Sequence, residues 1–163
     1  MIILGIDPGY ATIGFGAVQY QHGWFQPIRF GAIITPPGLK FPVRLNMIYD
    51  DMCQVLDKTH PDALSIEQLF FTNNKTTGID VAQARGVILL SAQQRNIPIY
   101  EYTPNQVKQS VVGYGRAEKR QVMEMTRQIL KLKEVPKPDD TADALALAVC
   151  HGHCSGSLLR YLK

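Results

Sequence analysis

The chain has 163 residues, 45% hydrophobic and 19% charged, which excludes disordered and fibrous classes and suits one globular domain over residues 1–163. Its longest run without Lys, Arg, Asp or Glu, residues 8–28, contains four glycines, two prolines, three glutamines and a histidine, and cannot sit in hydrocarbon. The net charge of +3 conceals a segment, residues 104–138, with eight basic and three acidic groups, while residues 1–103 and 139–163 are each net −1.

Ile2–Asp7 is an apolar run of strand length that ends at Pro8-Gly9, a buried strand followed by a turn. Ile13–Gln21 and Trp24–Thr35, separated by His22-Gly23, are rich in β-branched and aromatic residues and predict an antiparallel hairpin. From Pro42 to His60 the apolar positions Leu45, Ile48, Met52, Val55 and Leu56 step by three and four, a helical stripe. Ala63–Glu67 reads as a short buried strand, Thr72–Thr76 as a polar loop, and Gly78–Arg95 as a long helix. Ile97–Tyr102 follows as a strand and Pro104–Val112 as a short helix, broken at Gly113-Tyr114-Gly115. Ala117–Leu132 and Asp140–His151 are the last helices, giving the order βββαβαβααα and an α/β class.

Two acids end apolar strands: Asp7 after the first and Glu67 after Ala63-Leu64-Ser65-Ile66. If the strands are parallel neighbours, their carboxylates meet in the crevice at the carboxyl ends of the sheet. Asp140 and Asp143 lie three apart at a helix start and share one face, followed by small residues that let the helix approach the sheet closely. Four carboxylates in one cleft repel unless a cation lies among them, and hard divalent ions with oxygen ligands answer that need. Two such ions about 4 Å apart stabilise both the attacking water and the leaving oxygen in phosphodiester hydrolysis. Structural alternatives exist for some of these acids alone, a helix cap for Asp139 or Asp140 and a turn aspartate for Asp7, whereas Glu67 has none as ready. The combination favours catalysis. The positive segment beside these acids suits a polyanion that is cut, although a solvated lysine-bearing helix face explains the charge alone.

Gly5-Ile6-Asp7-Pro8-Gly9, Ile66-Glu67-Gln68-Leu69-Phe70, Gln83-Ala84-Arg85-Gly86, Gln106-Val107-Lys108-Gln109, Gly115-Arg116-Ala117-Glu118-Lys119 and Asp140-Thr141-Ala142-Asp143-Ala144-Leu145-Ala146 follow in that order. Together they resemble the RuvC family of bacterial Holliday-junction resolvases, from Ile2 to about His153. The resemblance implies a ribonuclease-H-like fold, a five-stranded mixed sheet flanked by helices, acting as a homodimer on four-way DNA junctions by paired symmetric nicks. It places the catalytic and metal-binding acids on Asp7, Glu67, Asp140 and Asp143, with Mg²⁺, two per site, as cofactor and Mn²⁺ as a substitute. Anchoring on Asp143-Ala144-Leu145-Ala146 makes Asp140 the ligand and Asp139 the cap. Lys108 and Lys119 match family lysines that contact DNA or assist catalysis. Phe70 matches an aromatic that stacks on an unpaired base, leaving Phe71 for packing. The helix around Gly78–Arg95, with Ala82, Gly86, Leu89 and Leu90, is the implied dimer interface, and a branch-migration motor the implied partner. Arg116 and Arg120 are expected phosphate contacts from their charge.

Three features carry less. Cys150-His151-Gly152-His153-Cys154 has a zinc-like look but no second ligand pair at matching spacing, and reads as a helix end. Three cysteines, Cys53 included, cannot all pair, and Met1–Asp7 lacks a leader's basic start and cleavage site. A reducing cytoplasm is therefore expected. Gly5-x-Asp7-x-Gly9 also resembles a phosphate loop of actin-like phosphotransferases, which need two such domains. A junction-binding module without cleavage is the remaining alternative, disfavoured by the presence of all four acids.

Overall fold

The structure, a computed structural model that describes residues 1–69 and 75–156, contains ten elements. They are β1 (Ile2–Asp7), β2 (Thr12–Gln21), β3 (Trp24–Ile34), α1 (Phe41–Thr59), β4 (Ala63–Glu67), α2 (Lys75–Gln93), β5 (Ile99–Tyr102), α3 (Pro104–Val112), α4 (Lys119–Ile129) and α5 (Asp139–Ser155). The order is the expected one, and several boundaries move. Helix α2 begins at Lys75, inside the stretch expected to be loop. Strand β5 begins at Ile99 because Pro98 has no N–H to give; its carbonyl still accepts from Leu64 N at 2.9 Å. Helix α4, expected over 117–132, spans only Lys119–Ile129, and Lys131 beyond it takes a left-handed φ of 53°. Helix α5 runs four residues past His151.

The sheet has the order β3-β2-β1-β4-β5. Strand β1 pairs antiparallel with β2 and parallel with β4, and β4 pairs parallel with β5, so the sheet is mixed. Side chains alternate across it as the pleat requires. Ile3 belongs to the cluster under α3, α4 and α5, whereas Leu4 and Ile6 belong to the cluster under α1 and α2. Asp7 therefore lies on the α5 face. On β4, Leu64 and Ile66 join the α1–α2 cluster, while Ser65 Oγ donates to the carbonyl of Leu147 in α5 at 2.7 Å, which puts Glu67 on the α5 face too. Ile6 is in register with Ile66, so the next residues, Asp7 and Glu67, end neighbouring strands on one face.

Glycines on the sheet let α5 lie unusually close. A Cβ on Gly5 would overlap the carbonyl oxygen of Ala144, and one on Gly14 would overlap that of Asp140. Gly14 is also the register partner of Asp7. The first turn of α5 is thus pressed onto the strand beside Asp7, and Asp140 and Asp143 arrive above the strand ends. Fully buried Ile3, Val18 and Leu145 hold this contact, each contributing about 1.5–3 kcal/mol by burial.

Candidate active site

Four elements bring the polar groups together. Asp7 and Glu67 come from strand ends, and the third acid, Asp143, comes from the second turn of α5. The fourth group is Lys119, the first residue of α4. A lysine opening a helix faces the positive end of the dipole, which is unfavourable. Here the position is fixed by Gln121 Oε1, which accepts from Glu118 N at 2.8 Å, and the charge is met by Asp143. Lys119 Nζ lies 2.8 Å from Asp143 Oδ2 and 4.0 Å from Asp139 Oδ2.

One cavity of about 300 Å³ is lined by Asp7, Glu67, Asp143, Lys108 and Lys119. Its electrostatics are those of a site short of positive charge. Burial, then the charges of Glu67, Asp143 and Asp140, push the Asp7 carboxyl up to about 8. Burial and Asp143 raise Glu67. Burial also raises Asp143, outweighing its ion pair with Lys119. The hydrogen bond to Asp143 raises Lys119 in turn, so that lysine stays an ammonium. Buried oxygen donors that raise one another's proton affinity in this way fit hard divalent cations. Among the described residues, no three His, Cys, Asp or Glu side chains are already gathered into a metal-holding cluster. Carboxylates here would turn toward a cation as it entered.

Asp140 does not line the cavity, although its charge acts on both Asp7 and Asp143. The residue before α5 that occupies the cap position is Pro138, not Asp139. Asp139 is instead the first helical residue, and its carboxylate is taken by Lys137 Nζ at 2.8 Å, so it satisfies no helix N–H. Arg116 and Arg120 are exposed and stand outside the cavity. Phe70 and Phe71 lie outside the described residues. On α2, Ala84, Ile88 and Ala92 are fully buried, and Ile79, Gly86 and Leu90 face outward. In the Cys150–Cys154 stretch, His151 Nδ1 is 2.8 Å from the Tyr102 hydroxyl and His153 Nδ1 is 3.0 Å from the Ser110 carbonyl oxygen.

Arg85 was visible in the sequence only as part of a motif, with no role attached. Its Nε donates to the carbonyl of Glu67 at 3.3 Å, and its Nη2 lies 2.8 Å from Glu101 Oε2. This guanidinium ties α2 to the ends of β4 and β5, beside the acid cluster. The signal in the sequence was a lone charge within the otherwise uncharged run 81–94.

Carboxylates at the carboxyl ends of a five-stranded mixed sheet, faced by a helix that adds further acids, define the ribonuclease-H-like class of nucleases. A model of the family crossover junction endodeoxyribonuclease RuvC matches residues 3–151. The crossover junction endodeoxyribonuclease RuvC of Brevibacillus brevis is 54% identical over 151 residues, 93% of this chain and 91% of the relative. That of Clostridioides difficile is 50% identical over 163 residues, 100% of this chain and 96% of the relative. The solved structure of Thermus thermophilus RuvC in complex with a Holliday junction substrate superposes with a TM-score of 0.90 at 35% identity, covering 95% of this chain and 94% of that one. The chain belongs to the RuvC family and is an endodeoxyribonuclease.

Proposed function

We propose that the protein resolves four-way DNA junctions by paired nicks, with Asp7, Glu67, Asp140 and Asp143 as the catalytic and metal-binding acids. The observation that supports this reading best is the convergence of Asp7, Glu67 and Asp143 under one lysine in a single cavity. Mg²⁺, two ions per site and replaceable by Mn²⁺, would supply Lewis acidity that activates water and stabilises the leaving oxygen. The chain's own groups do the rest. Asp7, on which burial and the charges of the other three acids all bear, would help to hold the ions. Lys119 holds an ammonium at the cavity, where it offsets charge developing on the scissile phosphate. Lys108 lines the same cavity and contacts a flanking phosphate, while Arg116 and Arg120, exposed near the start of α4, extend the backbone contacts outward. Phe70 stacks on an unpaired base at the crossover.

The protein acts as a homodimer through α2, which presents Ile79 and Leu90 at 55% and 52% exposure around an open Gly86. Exposed apolar residues on one helical stripe suit a second copy of the same face. We further assign the chain as a single domain over residues 1–163 that works in the cytoplasm with a branch-migration motor; no helix among the described residues is long and apolar enough to cross a membrane.

The test is incubation of the purified protein with a labelled four-way junction and a matched linear duplex, with Mg²⁺ and with chelator. Symmetric nicks confined to the junction and dependent on Mg²⁺ are expected. Asp7→Asn should abolish cleavage, by at least roughly a thousandfold, and leave junction binding intact. Binding without cutting by the natural chain would select the binding-module reading instead.

A further inference from the structure

Strand β3 closes one side of the sheet and pairs only with β2. Among the described residues, no backbone group outside the hairpin hydrogen-bonds to Trp24–Ile34. The same strand carries Trp24, Ile28, Phe30 and Ile34, four large apolar side chains that are all exposed, Phe30 at 41% and Ile34 at 64%. An open edge lined with apolar side chains invites another strand, and folded proteins ordinarily blunt it. Here only one half is blunted. Pro27 has no N–H to offer, the register with β2 slips at Ala17/Val18, and Lys131 Nζ lies 5.1 Å from the centre of the Trp24 ring. From Arg29 to Ile34 the register is unbroken and no proline intervenes.

A cavity lies on either side of this unprotected half. One, of about 260 Å³, is lined by Arg29 and Ile34 together with Asp51, Val55 and Lys58 of α1. The other, of about 640 Å³, lies between Phe30 and Gly31 and the segment 132–137 that leads into α5, Lys133 included. Successive side chains of an extended strand point to opposite faces, so a strand laid along Arg29–Ile34 would send one row toward each cavity. The flanks are net positive: Arg29, Lys58, Lys131 and Lys133 stand against Asp51 and Glu134. Lys137 is taken by Asp139, whereas Arg29, Lys58 and Lys133 make no ion pair among the described residues.

We propose that Arg29–Ile34 is a docking edge for an extended segment of a protein partner, with apolar and acidic side chains in alternation, which adds to the sheet beside β3. Backbone pairing supplies the affinity, and the two cavities take alternate side chains. Carboxylates near Arg29 and Lys133 select the partner by charge. A nucleic-acid backbone would leave Phe30 and Ile34 without a use and the open amides and carbonyls without a ladder. A second copy of this edge would bring one net-positive flank against another. None of these residues lines the cavity that holds the acids. Helix α2 packs on β5 and α1 on β3, so a dimer formed through α2 leaves the edge open.

The test selects a display library of random peptides, each of about ten residues to cover a strand and its flanks, against the purified natural protein. Enriched sequences should alternate apolar and acidic residues. A synthetic copy of one of them should slow amide hydrogen exchange across residues 29–34 roughly tenfold or more. Arg29→Glu, a change at an exposed side chain, should weaken that peptide roughly tenfold, and a version of the peptide with lysine in place of glutamate should regain the loss. The variant should melt and cut junctions as the natural protein does. Failure to enrich any peptide, exchange protection away from β3, or equal binding by the natural protein and Arg29→Glu would overturn the proposal. Protection of 29–34 by junction DNA alone would overturn it in favour of a nucleic-acid surface. Protection that rises with protein concentration alone would overturn it in favour of a contact between copies.

Discussion

Asp7 pays for its position in stability. Its carboxyl is raised from 3.8 to about 8, first by burial and then by Glu67, Asp143 and Asp140. Between those values the folded chain holds a proton that the unfolded chain has lost. The stabilising effect of that proton is complete below about pH 4 and drains away as the pH rises toward 8. Glu67 and Asp143 are shifted in the same direction and steepen the slope. Asp7→Asn removes the buried charge and keeps the shape. In chelator, the variant should melt above the natural protein at pH 8.5, by roughly 5 °C for a domain of this size, and the difference should shrink toward zero near pH 4. Mg²⁺ should raise the melting temperature of the natural protein and have little effect on the variant. Calorimetry at both pH values, with and without Mg²⁺, reads all of this. A gap independent of pH would show that Asp7 is not the strained acid.

Helix α5 is where residue chemistry becomes placement. Its backbone rests on Gly5 and Gly14, and an added methyl at Gly14 would strike the Asp140 carbonyl and the Thr141 amide, neither of which can yield without moving the helix. At Gly16 the nearest obstacle is the Leu145 side chain, whose end can rotate. Gly14→Ala and Gly16→Ala should both destabilise, by about 1–3 kcal/mol. Cleavage by Gly14→Ala should fall well beyond that of Gly16→Ala, because only the first displaces the turn carrying Asp140 and Asp143. Denaturation curves and single-turnover rates for the pair test this; equal loss of activity would separate α5 placement from catalysis. The elements were legible because each announces itself locally, by period-two or period-four apolar spacing and by Pro and Gly at the ends. The acids of β1 and β4 were legible because an acid ending an apolar strand is uncommon. Less local features escaped. Pro138 at the cap position of α5, Arg85 bridging Glu67 and Glu101, and Val107 and Val122 beside the acids all depend on which elements meet, and no spacing along the chain encodes that.

Paired nicks ask for two sites held in fixed relation, and the monomer has one. The face that could supply the second is the outward stripe of α2. Its opposite face is already spent on Ala84, Ile88 and Ala92 in the core, and Arg85 anchors the helix to the strand end that bears Glu67. A copy docked on Ile79, Gly86 and Leu90 would therefore bear on the same rigid frame that carries the acids. Leu90 is 52% exposed, so Leu90→Asp should alter the monomer's stability by no more than about 0.5 kcal/mol. Across an isologous interface it places two like charges against apolar surface, and the dimer should dissociate. Sedimentation should show the mass halve. A supercoiled plasmid with an extruded cruciform then distinguishes coupled from independent cutting. Two nicks within one binding event give linear product, whereas single nicks relax the plasmid, abolish the cruciform and leave nicked circles. The natural protein should give mainly linear DNA, and Leu90→Asp mainly nicked circles at a lower rate. A variant that stays dimeric would move the interface off α2, and a monomer that still yields linear product would show that paired cutting does not need the dimer.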